Sequence, residues 1–364
     1  MMSAPAATGA PATDTVMLRC LGALLTSLIG TLLLGKILIP WLRRREVLEQ
    51  VQKTDSQVLA EQNEVKRGTP TMGGVLFVPP MVVATAMFAR LDVACIPITL
   101  ALVVGLALLG FRDDRIKLFS RKRNGLDKRS KFRVQIAMSA AAAVGLWLVA
   151  RGQGPEAMEL SVPFVDSTVI DLALFGGIPF LLFAMFVLTG SSNAVNLADG
   201  LDGLAAGCVM IAFVPLAVLA YVAGCPDLSV HCSQAFVPGA SEMAVFAAAT
   251  VGGCIGFLWF NCYPARIFMG DTGALALGGA LGMTALSIKQ ELLLGVIGGI
   301  FVLETVSVIL QVFSFQVFGR RIFRIAPIHH HFQFGGCPEW TVTTRFWLGG
   351  AALATVSLLT LAIQ

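Results

Sequence analysis

The chain has 364 residues, of which 56% are hydrophobic and 13% charged, with a formal net charge of +4. A soluble domain carries roughly 25% charged residues, so this chain could not cover a water-facing surface; a disordered chain and a nucleic-acid binder are excluded with it. The eight cysteines are scattered with no CxxC pair, which excludes a disulfide scaffold and the usual zinc spacings.

The apolar runs are continuous rather than alternating over segments of about ten residues, so the class is an all-α integral membrane protein and not a β-barrel. A spanning helix needs about 20 mostly apolar residues. Ten runs qualify: Val16–Leu42, Gly73–Ala89, Val93–Phe111, Arg133–Ala150, Thr168–Leu188, Leu201–Ala223, Met243–Phe260, Gly273–Ile288, Leu292–Phe318 and Thr344–Ile363. The opening MMSAPAATGAPATDTV has no basic segment, so the first run is expected to remain as a signal anchor. The eighth run is short and Gly-rich. The ninth is too long to cross upright and holds Glu304, Gln311 and Gln316, so it is expected to bend. No internal repeat or low-complexity linker divides the chain, and a single domain over 1–364 is expected.

Orientation follows from Lys and Arg in short loops. Of the 26 basic residues, 21 fall in the loops after spans 1, 3, 7 and 9. That side is expected to be cytoplasmic, with both termini extracytoplasmic. The odd-numbered loops also hold the unusual segments: KRGTPTMGG (66–74), FRDDR (111–115), SSNAVNLADGLDGLAAG (191–207), NCYPARIFMGDTGALALG (261–278) and RIAPIHHHFQFGG (324–336). Five segments distant in sequence thus converge on one face, as an active site at the cytoplasmic mouth of a bundle requires.

Asp113 and Asp114 close span 3, at the end of the helix dipole that disfavours acids. Either Arg112 and Arg115 compensate them at a solvated helix end, or a metal ion does. Asp199 and Asp202, spaced i, i+3, would share a face where span 6 opens, a place where acids also simply favour a helix N-terminus. The glycines beside them, and the GDTG of 270–273, admit close approach of a ligand or of backbone. Acids around Gly-rich turns suit Mg²⁺, which takes few carboxylates and keeps water and phosphate ligands. His329, His330 and His331 are consecutive, so they fan apart and suit an anionic substrate beside Arg320, Arg321 and Arg324 better than they suit zinc. The deep acids Asp171 and Glu304 keep a transporter as the competing class, although the two halves of the chain do not match as transporter repeats do. Cys225 and Cys232 share an extracytoplasmic loop and are either a disulfide or two free thiols.

GTPTMGG, the Asp pair, NAVNLADGLDGLAAG, FMGDTGALALGG and APIHHHF, in that order between about 66 and 346, resemble the phospho-N-acetylmuramoyl-pentapeptide transferase family, a branch of the polyprenyl-phosphate N-acetylhexosamine 1-phosphate transferases. The resemblance implies transfer of phospho-N-acetylmuramoyl-pentapeptide from its UDP precursor to undecaprenyl phosphate. Lipid I and UMP would be the products, Mg²⁺ the cofactor, the bacterial inner membrane the location and a homodimer the assembly. It implies Asp271 as Mg²⁺ ligand, Asp113 as the acid taking a proton from the lipid phosphate, with Asp114 beside it, and His330 as a catalytic histidine. It implies substrate contacts at Lys66, Thr71, Lys131, Asn196, Asp199, Asp202, Phe268, Gly270, Gln311 and His331. Two positions depart from the family pattern: Ala198 stands where Thr is usual, and Gln333 where Glu is usual. The lipid is expected along Leu303–Phe318 of span 9.

Overall fold

The computed structural model describes residues 13–45, 68–119, 125–165 and 169–363. It is built of helices α1 (Thr13–Arg44), α2 (Gly74–Phe88), α3 (Cys95–Phe119), α4 (Lys128–Gln153), α5 (Leu174–Ala198), α6 (Leu204–Ala223), α7 (Pro226–His231), α8 (Ala240–Asn261), α9 (Gly270–Ser287), α10 (Leu294–Ile297), α11 (Gly299–Phe318), α12 (Ile328–Phe334), α13 (Glu339–Leu358) and α14 (Thr360–Ile363). A single antiparallel hairpin, β1 (Glu159–Ser161) with β2 (Val169–Asp171), pairs Leu160 opposite Ile170. Lipid offers no hydrogen bonds to a backbone, so spanning segments close theirs within helices.

Among the described residues, eight helices are long and apolar enough to cross a membrane: α1, α3, α4, α5, α6, α8, α11 and the stretch Glu339–Ala362. The chain is therefore a multi-pass membrane protein. The other two expected spans form helices that miss those criteria. α2 has 15 residues, about 22 Å at 1.5 Å per residue. α9 has 18 residues, and from Asp271 to Leu286 every one is buried.

That enclosure explains its composition. α9 packs against α2, α3, α5, α6 and α8, so it presents no face to lipid and needs no apolar surface. Its small residues let backbones meet, as is usual between membrane helices. At Gly110 of α3, a Cβ would overlap the carbonyl group of Asp271. Around this centre, α1 turns Leu18, Leu25, Leu33 and Trp41 outward, and α11 turns out Leu303, Ile309 and Phe313.

Several boundaries differ from the sequence reading. α3 runs on to Phe119, so Asp113 and Asp114 lie about one and a half turns inside it and not at its end. Asp171 sits in the exposed strand β2, not in a span; α5 begins after it, at Leu174. α6 begins at Leu204 because Gly203, at φ +74°, breaks the helical path before it. Asp199 and Asp202 therefore flank a turn and do not share a helix face. The ninth span is broken, as expected, at Gly298 between α10 and α11. Cys225 and Cys232 flank the two ends of α7, and both are free thiols.

At the end of the bundle away from the Gly-Asp motifs, Arg19 of α1 forks onto Glu242 of α8 at 2.7 and 2.9 Å. The Arg90 backbone N–H donates to the same carboxylate at 2.8 Å, which ties the α2–α3 turn to both helices. Glu291, in the turn between α9 and α10, is buried, and that burial pushes its carboxyl up to about 8. Its ordinary value is 4.5, so between those values the folded protein holds a proton that the unfolded chain releases. Stability from this group is full below about pH 4.5 and lost as pH rises through about 8. In detergent, Glu291→Gln should therefore gain melting temperature over the parent as pH is raised from 5 to 9. A difference that is flat across that range, or shrinks, would contradict this environment for Glu291.

Candidate active site

The site is assembled from backbone pairing first. Residues 70–74 lie along the segment before α9: Phe268 N–H donates to Pro70 O (2.8 Å), Gly73 N–H to Phe268 O (2.7 Å) and Gly74 N–H to Met269 O (3.0 Å). Thr71 is buried in this seam. Gly270 opens α9 at φ +70° with its Cα against the Asp114 carboxylate, a conformation that costs a side-chain-bearing residue.

Asp114 accepts from Asp271 N–H (3.1 Å), Thr272 N–H (3.0 Å) and Thr272 Oγ1 (2.6 Å). The first N–H groups of a helix have no partner within it and carry the positive end of its dipole. A carboxylate from α3 thus caps α9. Asp113, the next residue, accepts from Leu126 N–H at Oδ1 (2.6 Å). Its Oδ2 lies 2.9 Å from Lys117 Nζ and 3.1 Å from Lys131 Nζ. The same two ammonium groups reach Asp271 Oδ2, at 2.5 Å and 2.7 Å. Two carboxylates and two lysines thus close a four-membered charge cluster, with side-chain exposure from 3% at Asp113 to 40% at Lys117. Such partly enclosed pairs are screened less than surface ones.

A second group lies around the α5–α6 turn. Asp202 Oδ2 accepts from Ala265 N–H (2.9 Å), its N–H donates to Glu339 Oε1 (2.7 Å), and its carbonyl accepts from Thr343 (3.2 Å). Asn261 joins the same turn through Gly203 N–H (3.1 Å). Asn196 and Asp199 end α5, both partly exposed. Cys262, in the connection that carries Phe268, has its thiol pushed up by burial first and by the Asp202 charge second. It is therefore no ready thiolate.

The histidines fan apart as their spacing requires. His329 is buried. His330 Nδ1 lies 2.7 Å from Gln333 Oε1, so the residue standing in for Glu still orients that ring. His331 Nδ1 accepts from Arg324 N–H (3.1 Å). Gln311 of α11 holds the chain ahead of α12, accepting from Ile322 and Phe323 N–H and donating to Phe323 O (3.0 Å).

The structure therefore brings together Thr71, Asp113, Asp114, Lys131, Phe268, Gly270 and Asp271. Asp202 is bound to the connection carrying Phe268, whereas His330, His331 and Gln311 form their own group on α11 and α12. Lys66 lies outside the described residues. Lys117 counts in the sequence only as one of the basic residues of the loop after span 3 and not as a site residue, although it stands four residues after Asp113; ending span 3 at Phe111 hides its place on the same helix. Thr272 is the other omission, a hydroxyl beside the proposed metal ligand. Among the described residues, no three His, Cys, Asp or Glu side chains are grouped so as to hold a metal ion. Asp113 and Asp271, two hard carboxylates already drawing cations to facing oxygens, suit an ion that takes few protein ligands.

Comparison with known proteins converges on one family. The glycosyl transferase family 4 profile matches residues 96–289, and signature 1 of the phospho-N-acetylmuramoyl-pentapeptide-transferases matches residues 66–78. The phospho-N-acetylmuramoyl-pentapeptide-transferase of Thermodesulfovibrio yellowstonii is 42% identical over 96% of this chain and 94% of its own length. That of Desulfosudis oleivorans is 43% identical over the same shares.

The two adjacent acids should separate experimentally. Asp114→Ala strips three buried donors of their acceptor, each worth about 1–3 kcal/mol when left unpaired, and should lower the melting temperature by several degrees. Asp113→Asn leaves Lys117 and Lys131 on Asp271 and should melt close to the parent. Equal melting losses in detergent would refute the capping role.

Proposed function

The chain belongs to the phospho-N-acetylmuramoyl-pentapeptide-transferase family, and from that premise we propose that it moves phospho-N-acetylmuramoyl-pentapeptide from its UDP precursor to undecaprenyl phosphate. The observation that carries this reading is the pairing of Asp113 and Asp271 through Lys117 and Lys131. Phosphoryl transfer asks a protein mainly to position the reactants and neutralise charge, and this cluster holds both signs of charge on facing helices.

In the proposed reaction, an oxygen of the lipid phosphate attacks the sugar-bearing phosphorus of the UDP precursor. A new P–O–P linkage forms, giving lipid I, and the bond to the departing UMP breaks, with UMP taking the electron pair. Asp113 accepts the proton of a monoprotonated lipid phosphate. Lys117 and Lys131 counter charge on the phosphoryl oxygens. Asp271, with Asp113, would hold Mg²⁺, which when bound supplies further neutralisation of the diphosphate. Direct attack is favoured over an aspartyl-phosphate, because the lipid phosphate monoester is itself a nucleophile.

The same reading assigns Asn196, Asp199, Phe268 and Gly270 to the nucleotide, and His330 and His331 to the phosphate end of the substrate. It places the site at the cytoplasmic face of the inner membrane with both termini outside, in keeping with the basic loops. Lipid would lie along the outward face of α11, where each buried CH₂ is worth about 0.8 kcal/mol.

Purified protein given undecaprenyl phosphate and UDP-N-acetylmuramoyl-pentapeptide should release UMP, and should not do so with UDP-N-acetylglucosamine. Release with the second sugar alone would move the chain to another branch of the superfamily. Asp271→Asn should cut UMP release by roughly 10²–10⁴, equivalent to several kcal/mol of transition-state stabilisation; activity within tenfold of the parent would remove Asp271 from the chemistry. Ile309→Lys, on the outward face of α11, should raise the lipid KM and leave the nucleotide KM unchanged. An equal rise in both would argue against a lipid path there.

A further inference from the structure

Glu304 is fully enclosed in α11 (0% exposed), and His329 of α12 is nearly so (1%). An ionisable side chain within a membrane span is costly and needs a partner. Here Oε2 of Glu304 lies 3.0 Å from Nδ1 of His329, an ion pair by distance but without an aligned hydrogen bond, and Oε1 and Nε2 have no other partner among the described residues. Buried polar atoms left unpaired cost about 1–3 kcal/mol each, and well-packed apolar residues often match or exceed the stability of a buried pair. The pair is therefore a poor device for stability.

Its surroundings give it another use. On its far side, the His329 ring presses its Nε2 edge onto the backbone at Gly200, so closely that a Cβ there would overlap the ring. Gly200 stands between Asp199 and Leu201, in the turn that Asp202 fastens to Ala265. On its near side, the His329 ring lies 4.2 Å from that of His330, which Gln333 orients. One side chain thus touches α11, the α5–α6 turn and the next histidine.

We propose that Glu304 and His329 are a positioning pair: Glu304 fixes the rotation of the His329 ring, which sets α12 and its His330 against the Asp199–Asp202 turn that receives the nucleotide. This rests on the transferase reading, since it takes that turn as the nucleotide side. Neither residue touches substrate in this scheme.

The test uses full-length protein and two substrates read separately. Glu304→Gln should weaken binding of the UDP-linked precursor, measured by calorimetry without lipid, by tenfold or more, while the KM for undecaprenyl phosphate stays within twofold. The double variant Glu304→Met/His329→Leu should recover or exceed the parent melting temperature and still bind the precursor at least tenfold more weakly, because apolar packing fills the space without fixing a ring. His329→Leu alone keeps the turn intact and removes only the ring; it should reproduce the affinity loss, and it carries the test if Glu304→Gln does not fold. Precursor affinity within twofold of the parent, or affinity and melting temperature recovering together in the double variant, would overturn the proposal alone. A parent protein that binds no UDP-linked precursor would overturn the transferase reading and this proposal with it.

Discussion

The arrangement of the site depends on one contact, the Asp114 carboxylate on the first turn of α9. It satisfies donors that the helix cannot satisfy itself, and it does so from the middle of another helix. Because Asp113 and Asp271 are the immediate chain neighbours of that contact, fixing Asp114 to the Asp271 and Thr272 N–H groups fixes the two carboxylates relative to each other. Lys117 and Lys131 then need only reach across a preset gap. Gly110, admitting the backbone of Asp271 without a Cβ in the way, is what lets α3 and α9 come that close.

A division of labour follows between adjacent acids. Asp114 is consumed by structure, and Asp113 is held by one backbone N–H and two lysine side chains. Asp202 resembles the former: its oxygen, its N–H and its carbonyl are each used to join α5, α6, α13 and the connection after α8. Acidic motif residues in this chain therefore serve first to join segments far apart in sequence. The charge cluster is left to Asp113, Asp271 and the two lysines.

Much of this was legible beforehand, for identifiable reasons. Continuous apolar runs locate helices because the bilayer fixes their length, and the segments 66–74, 111–115 and 261–278 hold Thr71, Asp113, Asp114, Phe268, Gly270 and Asp271, which the fold brings together. Consecutive histidines could be seen to diverge because adjacent residues on a helix point apart. What stayed hidden was where a helix stops once protein replaces lipid around it. α3 continues eight residues past its apolar run because Asp113, Asp114 and Lys117 find partners on α9 and α4, and this concealed Lys117. The turn between Asp199 and Asp202 was hidden for the opposite reason: the left-handed Gly203 interrupts a sequence that reads as continuous helix.

The complete enclosure of α9 also bears on how the chain is made. A Gly-rich segment of small residues gains little by partitioning into lipid by itself, because it offers little apolar surface to bury. The helices against which α9 mainly packs (α2, α3, α5, α6 and α8) precede it in the chain. During synthesis the pocket that accepts α9 is therefore in place before the segment emerges, with the Asp114 carboxylate waiting for its first N–H groups. Insertion of this helix is then a docking event between protein surfaces rather than a transfer into lipid, and the reactive cluster comes into being at that step.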